Sequence, residues 1–155
     1  MRHIVDLQLA CEETKTPDLA QFQHWVDSAL AIALPDNNKV FELTIRLVDS
    51  LESRQLNNQF RGQDKPTNVL SFPFEVPDGI ELNLLGDLVI CIEIMRDEAN
   101  TQDKALFDHW AHLVIHGCLH LLGFDHINET EALMMEALEI KILATLAINN
   151  PYEAQ

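Results

Sequence analysis

His116-Gly117-Cys118-Leu119-His120-Leu121-Leu122-Gly123-Phe124-Asp125-His126 sets three imidazoles at relative positions 0, 4 and 10, with a glycine at 7. An α-helix turns once in about 3.6 residues, so His116 and His120 leave one face a single turn apart. Gly123 ends that helix, because the residue just past the last turn often takes positive φ and glycine adopts it without steric cost. The chain then swings back and aims His126 at the same point in space. Three imidazoles around one point, with a fourth position open, form the donor set of a catalytic zinc rather than a structural one. The stretch therefore reads as a metal helix followed by a bend, and as the site of a metal-dependent hydrolase.

The spacing is that of the metzincin motif, H-E-x-x-H-x-x-G-x-x-H, with one residue changed. Gly117 stands where a metzincin carries its general-base glutamate. The ligand geometry is kept and the peptidase base is gone, which argues against proteolysis. His112, one turn earlier, reads as a packing or supporting residue rather than a ligand, and so does His109. Asp125 has two readings, a hydrogen-bond acceptor for an imidazole N–H or a turn residue capping the backbone. Cys118 falls off the ligand face and reads as a small buried hydrophobe.

Working outward, residues 4–9 alternate apolar and polar and read as a strand. Thr16-Pro17-Asp18 reads as a helix start, with Thr16 as N-cap and Pro17 in the first turn. Leu19, Phe22, Trp25, Val26, Ala29, Leu30 and Ala33 then recur at helical spacing. Residues 40–48 read as a strand with Phe41, Leu43, Ile45 and Leu47 inward. Asp49 with Glu52 resembles a capping box, so a helix is expected over about 50–60. A loop follows, then a strand over 69–76 that Pro73 confines to a sheet edge. Pro77-Asp78-Gly79 is a turn. Residues 86–95 form a nearly unbroken apolar run, as in a central strand covered on both faces. The metal helix is expected from about 101–103 to Leu122. A last helix is capped by Asn128, with Leu133, Met134, Ala137, Leu138, Ile142 and Leu146 as its buried stripe. Met134 and Met135 read as core rather than as a metzincin Met-turn.

The order β-α-β-α-β-β-α-α predicts an α+β fold. It would be a single compact domain over 1–155, with a mixed four-stranded sheet and helices packed on it. The chain has 155 residues, enough to bury a real core, and 47% of them are hydrophobic. No apolar run reaches membrane-spanning length, and the first residues carry no signal-peptide core. Three widely spaced cysteines, Cys11, Cys91 and Cys118, do not form a disulfide framework. A cytoplasmic protein without membrane partners is expected. With 10 basic and 25 acidic residues the net charge is −15, which repels nucleic acid over most of the surface. Arg46, Arg54, Arg61 and Lys65, against Asp49, Glu52 and Asp64, leave residues 46–65 net +1. That segment, folded beside the metal, would make a locally positive site.

Several stretches together resemble the YbeY family of bacterial rRNA-maturation endoribonucleases. They are Leu56-Asn57 with Phe60-Arg61, Asp64 to Pro73, Gly86 to Ile90, and His116 to His126. The likeness extends in order over the whole domain and departs at Phe124, where tyrosine is common. The resemblance implies a metal-dependent endoribonuclease that prefers single strands. Its implied roles are 16S rRNA 3′-end maturation and ribosome quality control, with rRNA, the small ribosomal subunit and its assembly factors as partners, and no DNA. It further implies zinc on His116, His120 and His126, and Arg61 as a further residue needed for activity. Three imidazoles also suit other divalent transition metals.

A guanidinium matches phosphate oxygens bidentately, so Arg61 would clamp the scissile phosphate. The alternative for Arg61 is an ion pair with Asp64 that pins the loop. Glu75, Glu93 or a histidine stand as candidate bases, and either water or the 2′-hydroxyl could attack. The rival readings are a zinc peptidase or amidase, and a ribosome-assembly binding module whose zinc is structural. The module needs a fourth protein ligand.

Overall fold

Alternation in Ile4–Leu9 (β1) and Glu42–Val48 (β2) puts Val5, Leu43, Ile45 and Leu47 on one sheet face, where they are buried. The computed structural model describes residues 1–12 and 15–153. The other strands are Val69–Pro73 (β3) and Leu84–Cys91 (β4). The helices are Leu19–Ala33 (α1), Ser50–Arg61 (α2), Ile92–Thr101 (α3), Leu106–Leu121 (α4) and Glu129–Thr145 (α5). The sheet runs in the order β1-β2-β4-β3. β1, β2 and β4 are parallel, and β3 lies antiparallel to β4 at the edge. The result is the expected mixed four-stranded sheet in one α+β domain.

Helices cover both faces unequally. α1, α4 and α5 pack over the main core, where Leu88 and Ile90 of β4 meet Phe22, Leu30, Trp110, Val114 and Ile142. The ring of Phe22 meets Trp25 and Trp110 edge-on, at centroid distances of 5.6 and 5.8 Å. Val89 points the other way, into a small cluster with Val48 and Leu70 that Leu56 of α2 joins. β4 is thus apolar on both faces, as a covered central strand must be. β3 lies beside it as the edge strand that Pro73 required.

Four expectations need correction. The strand expected over 86–95 stops at Cys91, and Ile92 begins a helix whose buried residues are Ile92, Met95 and Ala99. Their three- and four-residue spacing is helical, but the apolar run hides it. α4 accordingly starts at Leu106, later than expected. α1 is capped by Asp18, not Thr16, through a full capping box with Gln21. On α5 the buried stripe is Met135, Glu139, Ile142 and Leu143, whereas Leu133 and Met134 are 60% and 59% exposed. The expected stripe is about one position out, because the true inward face carries a glutamate. Asp49 caps α2 as expected, accepting from the Glu52 N–H at 2.9 Å, but the Glu52 carboxylate is drawn to Arg46 rather than back to the cap.

Candidate metal centre

His116 and His120 leave α4 on one face, with ring centroids 4.6 Å apart and their Nε2 atoms 3.0 Å apart. α4 then ends in a Schellman motif. The Gly123 N–H donates to the His120 carbonyl and the Phe124 N–H to the Leu119 carbonyl, with Gly123 at φ +98°. This reversal brings the His126 ring to 5.2 Å from His120 and 5.9 Å from His116. One ligand atom from each of the three histidines lies within 4.8 Å of the others. Zinc bound tetrahedrally at about 2.0–2.1 Å from imidazole nitrogens sets them roughly 3.3 Å apart, so the spacing fits a single ion.

The hydrogen bonds fix which nitrogen faces that point. His120 Nδ1 donates to the Phe124 carbonyl at 3.0 Å, and His116 Nδ1 donates to the Glu139 carboxylate at 2.5 Å. Neither acceptor has a proton to give, so each ring holds a proton on Nδ1, and its neutral form presents an Nε2 lone pair. Burial, followed by the neighbouring His116 and His126 rings, holds the His120 imidazole below its usual 6.5, so it is neutral at neutral pH. In those neutral forms the two lone pairs face each other at 3.0 Å, an arrangement that a shared cation stabilises. The donor set and its proton arrangement therefore fit a divalent metal. No fourth His, Cys, Asp or Glu joins the cluster among the described residues.

Glu139 is the residue the sequence reading missed. It is wholly buried on α5 and receives His116 Nδ1–H and the Tyr152 hydroxyl, the latter at 2.5 Å. His112 Nε2 lies 3.5 Å from it. Burial alone would raise this carboxyl, but the hydrogen bonds from His112, His116 and Tyr152 overcome it and bring the pKa down to about 2. The carboxylate is thus an anion at neutral pH behind one candidate ligand, the kind of support a metal-binding imidazole usually has. The one signal in the sequence was a glutamate at helical spacing from Met135, Ile142 and Leu143. His112 is a supporting residue, as expected, and His109 is buried with its Nε2–H on Glu98 at 3.0 Å.

A cavity of about 590 Å³ opens beside the histidines, with α4 on one side and Ser71 and Pro73 of β3 on the other. Among the described residues, Arg61, at the C-terminal end of α2, is its only cation and Asp125 its only carboxylate. Arg61 donates to the Ser71 carbonyl at 2.8 Å and the Phe60 carbonyl at 3.2 Å, and its guanidinium lies 5.1 Å from the Phe72 ring centroid. Asp64 pairs with Arg54 at 2.7 Å, so it does not pin Arg61. Arg46 pairs with Glu52 at 2.6 Å. Arg46 and Arg54 of the positive segment are therefore neutralised within it, and among its basic residues Arg61 lines the cavity.

Asp125 accepts from the His126 backbone N–H at 2.7 Å, while its Oδ1 is 3.8 Å from the His126 ring nitrogen. It is the capping residue of the turn. Neither Glu75 nor Glu93 lines the cavity, and Glu93 instead accepts from the Ser50 N–H at 3.1 Å. Cys118 is fully buried, and desolvation pushes its thiol up to about 12. A Cβ built on Gly117 would fall 2.7 Å from Leu88 Cδ2. The position that holds a base in metzincins is here a contact between α4 and the sheet.

Comparison with known proteins agrees with this geometry. The family model described as endoribonuclease YbeY matches residues 8–147. The protein named Endoribonuclease YbeY from Colwellia psychrerythraea is 68% identical over 155 residues, covering all of both chains. The solution structure of TM1509 from Thermotoga maritima shares the fold, with a TM-score of 0.60 at 24% identity over 98% of this chain and 97% of that one. With a match over nearly its whole length and its three histidines gathered at one point, the chain belongs to the endoribonuclease YbeY family.

Proposed function

We propose that this protein is a metal-dependent endoribonuclease of single-stranded RNA, with zinc on His116, His120 and His126 and the scissile phosphate held by Arg61. The observation that carries it is one cavity bounded by all three histidines and by a single arginine that has no carboxylate partner among the described residues. The name of the 68% identical relative, an endoribonuclease, supplies the substrate class. On that reading the chain acts in the cytoplasm in 16S rRNA 3′-end maturation and ribosome quality control, and meets the small ribosomal subunit and its assembly factors there.

A divalent ion held by three imidazoles supplies Lewis acidity toward a phosphate oxygen and acidifies water near neutral pH. The protein's own residues do the rest. The Phe60 and Ser71 carbonyls take two of the five N–H donors of Arg61 and fix its plane, leaving the others for phosphate oxygens. The guanidinium keeps its charge throughout, so it favours the more negative transition state over the ground state. The Phe124 carbonyl and the Glu139 carboxylate hold His120 and His116 in the tautomer with Nε2 unprotonated.

The absence of a glutamate at position 117 and of room for one turns the reading away from a peptidase. The absence of a fourth ligand among the described residues turns it away from a purely structural zinc. The test is cleavage of a single-stranded RNA oligonucleotide by purified protein. Cleavage should stop on metal removal by a chelator and return with zinc. RNA left intact by protein carrying one zinc per chain contradicts the proposal.

A further inference from the structure

The chain does not stop at the end of α5. Leu146 caps the helix, and Ala147 takes φ +58°. Its N–H donates to the Ala144 carbonyl and the Ile148 N–H to the Leu143 carbonyl, a second Schellman motif. The tail turns back across α4. The Lys104 ammonium reaches the Pro151 carbonyl at 3.5 Å, and the Tyr152 N–H donates to Asn150 Oδ1 at 2.8 Å. The Tyr152 ring meets His112 edge-on at 5.5 Å. Tyr152 as a whole is 46% exposed, yet its hydroxyl ends on the fully buried Glu139. Ile148, Asn150, Pro151 and Tyr152 follow position 147, where the match to the family model ends.

We infer that Tyr152 is a positioning residue for the metal centre: its hydroxyl locks the Glu139 carboxylate, which in turn aims the imidazole of His116. The inference rests on the proposed metal site and adds a part to it. A carboxylate with two oxygens and one strong partner is free to rotate. Here Oε1 takes His116 Nδ1–H and Oε2 takes the Tyr152 proton, so both oxygens are engaged and the plane is set. His112 Nε2, 3.3 Å from the Tyr152 oxygen and 3.5 Å from Glu139, supports the same junction. Without the hydroxyl, Glu139 keeps its burial and loses its second anchor, and the His116 ring loses its fixed direction. A hydroxyl that merely closed the surface over α4 would have no need to reach a carboxylate with no exposure to solvent.

Tyr152→Phe in the full-length protein removes the hydroxyl and keeps the ring. Zinc affinity, measured by competition with a chromophoric chelator, is expected to fall by about tenfold, the lower end of losses seen for outer partners of metal ligands. In a Glu139→Gln background the same change should have little further effect, since the carboxylate it acts through is gone. A second readout needs no metal. Nitrogen-15 NMR of the zinc-free wild type should show His116 protonated on Nδ1, and Tyr152→Phe should shift that signal toward the other tautomer. Affinity within twofold of wild type together with an unmoved His116 signal would overturn the inference, as would an equal loss in both backgrounds. Wild-type protein that binds no zinc would refute the metal site itself, while the NMR signal would still decide the strut.

Discussion

At the scale of single residues, Arg61 and His120 separate the two halves of the site. Arg61→Ala removes the only cation that lines the cavity among the described residues, without touching a proposed metal donor. Cleavage is expected to fall by about 10²–10³, the loss usual for one donor aimed at developing charge, with zinc content and melting temperature unchanged. His120→Ala is expected to abolish stoichiometric zinc binding, read by elemental analysis. The three histidines were legible in the sequence because helix periodicity and one glycine are local facts. The side chains that hold them were not. Glu139 looks like any solvent-facing glutamate until α5 is packed, and Phe124 acts through its carbonyl, which no residue type reveals. Arg61 reached the sequence reading through a family likeness, and only the fold brings it across β3 to the histidines.

At the scale of elements, the two Schellman motifs differ in their residue at positive φ, and that difference is measurable. Gly123 sits at φ +98°, so Gly123→Ala is expected to cost about 1–2 kcal/mol and to loosen His126, seen as a lower melting temperature and weaker zinc binding. Ala147 pays that steric cost already at φ +58°. Ala147→Gly relieves about 1–2 kcal/mol of strain and loses about 0.5–1 kcal/mol to the greater freedom of the unfolded chain. A small net gain in denaturation midpoint is expected. Gly117 tests whether the metzincin likeness extends beyond the ligands. Gly117→Glu places side-chain atoms where Leu88 already lies, so it should destabilise by about 1–3 kcal/mol and confer no peptidase activity. α3 was illegible for a related reason: Ile92 and Met95 continue the apolar run of β4, and only packing divides the run into a strand and a helix.

At the scale of the whole molecule, the mixed four-stranded sheet, the edge place of β3 and the burial of β4 followed from patterns visible in the sequence, while the strand order and the joins between elements depended on tertiary partners. One such join is the Glu98 carboxylate, which ties α3 to His109 of α4 and to Asn68 just before β3. The hydrogen bond from His109, against the opposing effect of burial, holds Glu98 below its ordinary 4.5. A depressed carboxyl contributes stability that is fully present above its unfolded pKa and is lost as pH falls through the folded value. Unfolding free energy measured from pH 7 down into the acid range should therefore decline more in the wild type than in Glu98→Gln. On the proposed function, the acidic body is a scaffold for one open metal site. The most direct test of that site is X-ray absorption spectroscopy of the zinc-loaded protein at the zinc edge. The account predicts three imidazole nitrogens and one oxygen donor from outside the protein. A fourth protein ligand, or fewer than three imidazoles, would contradict it.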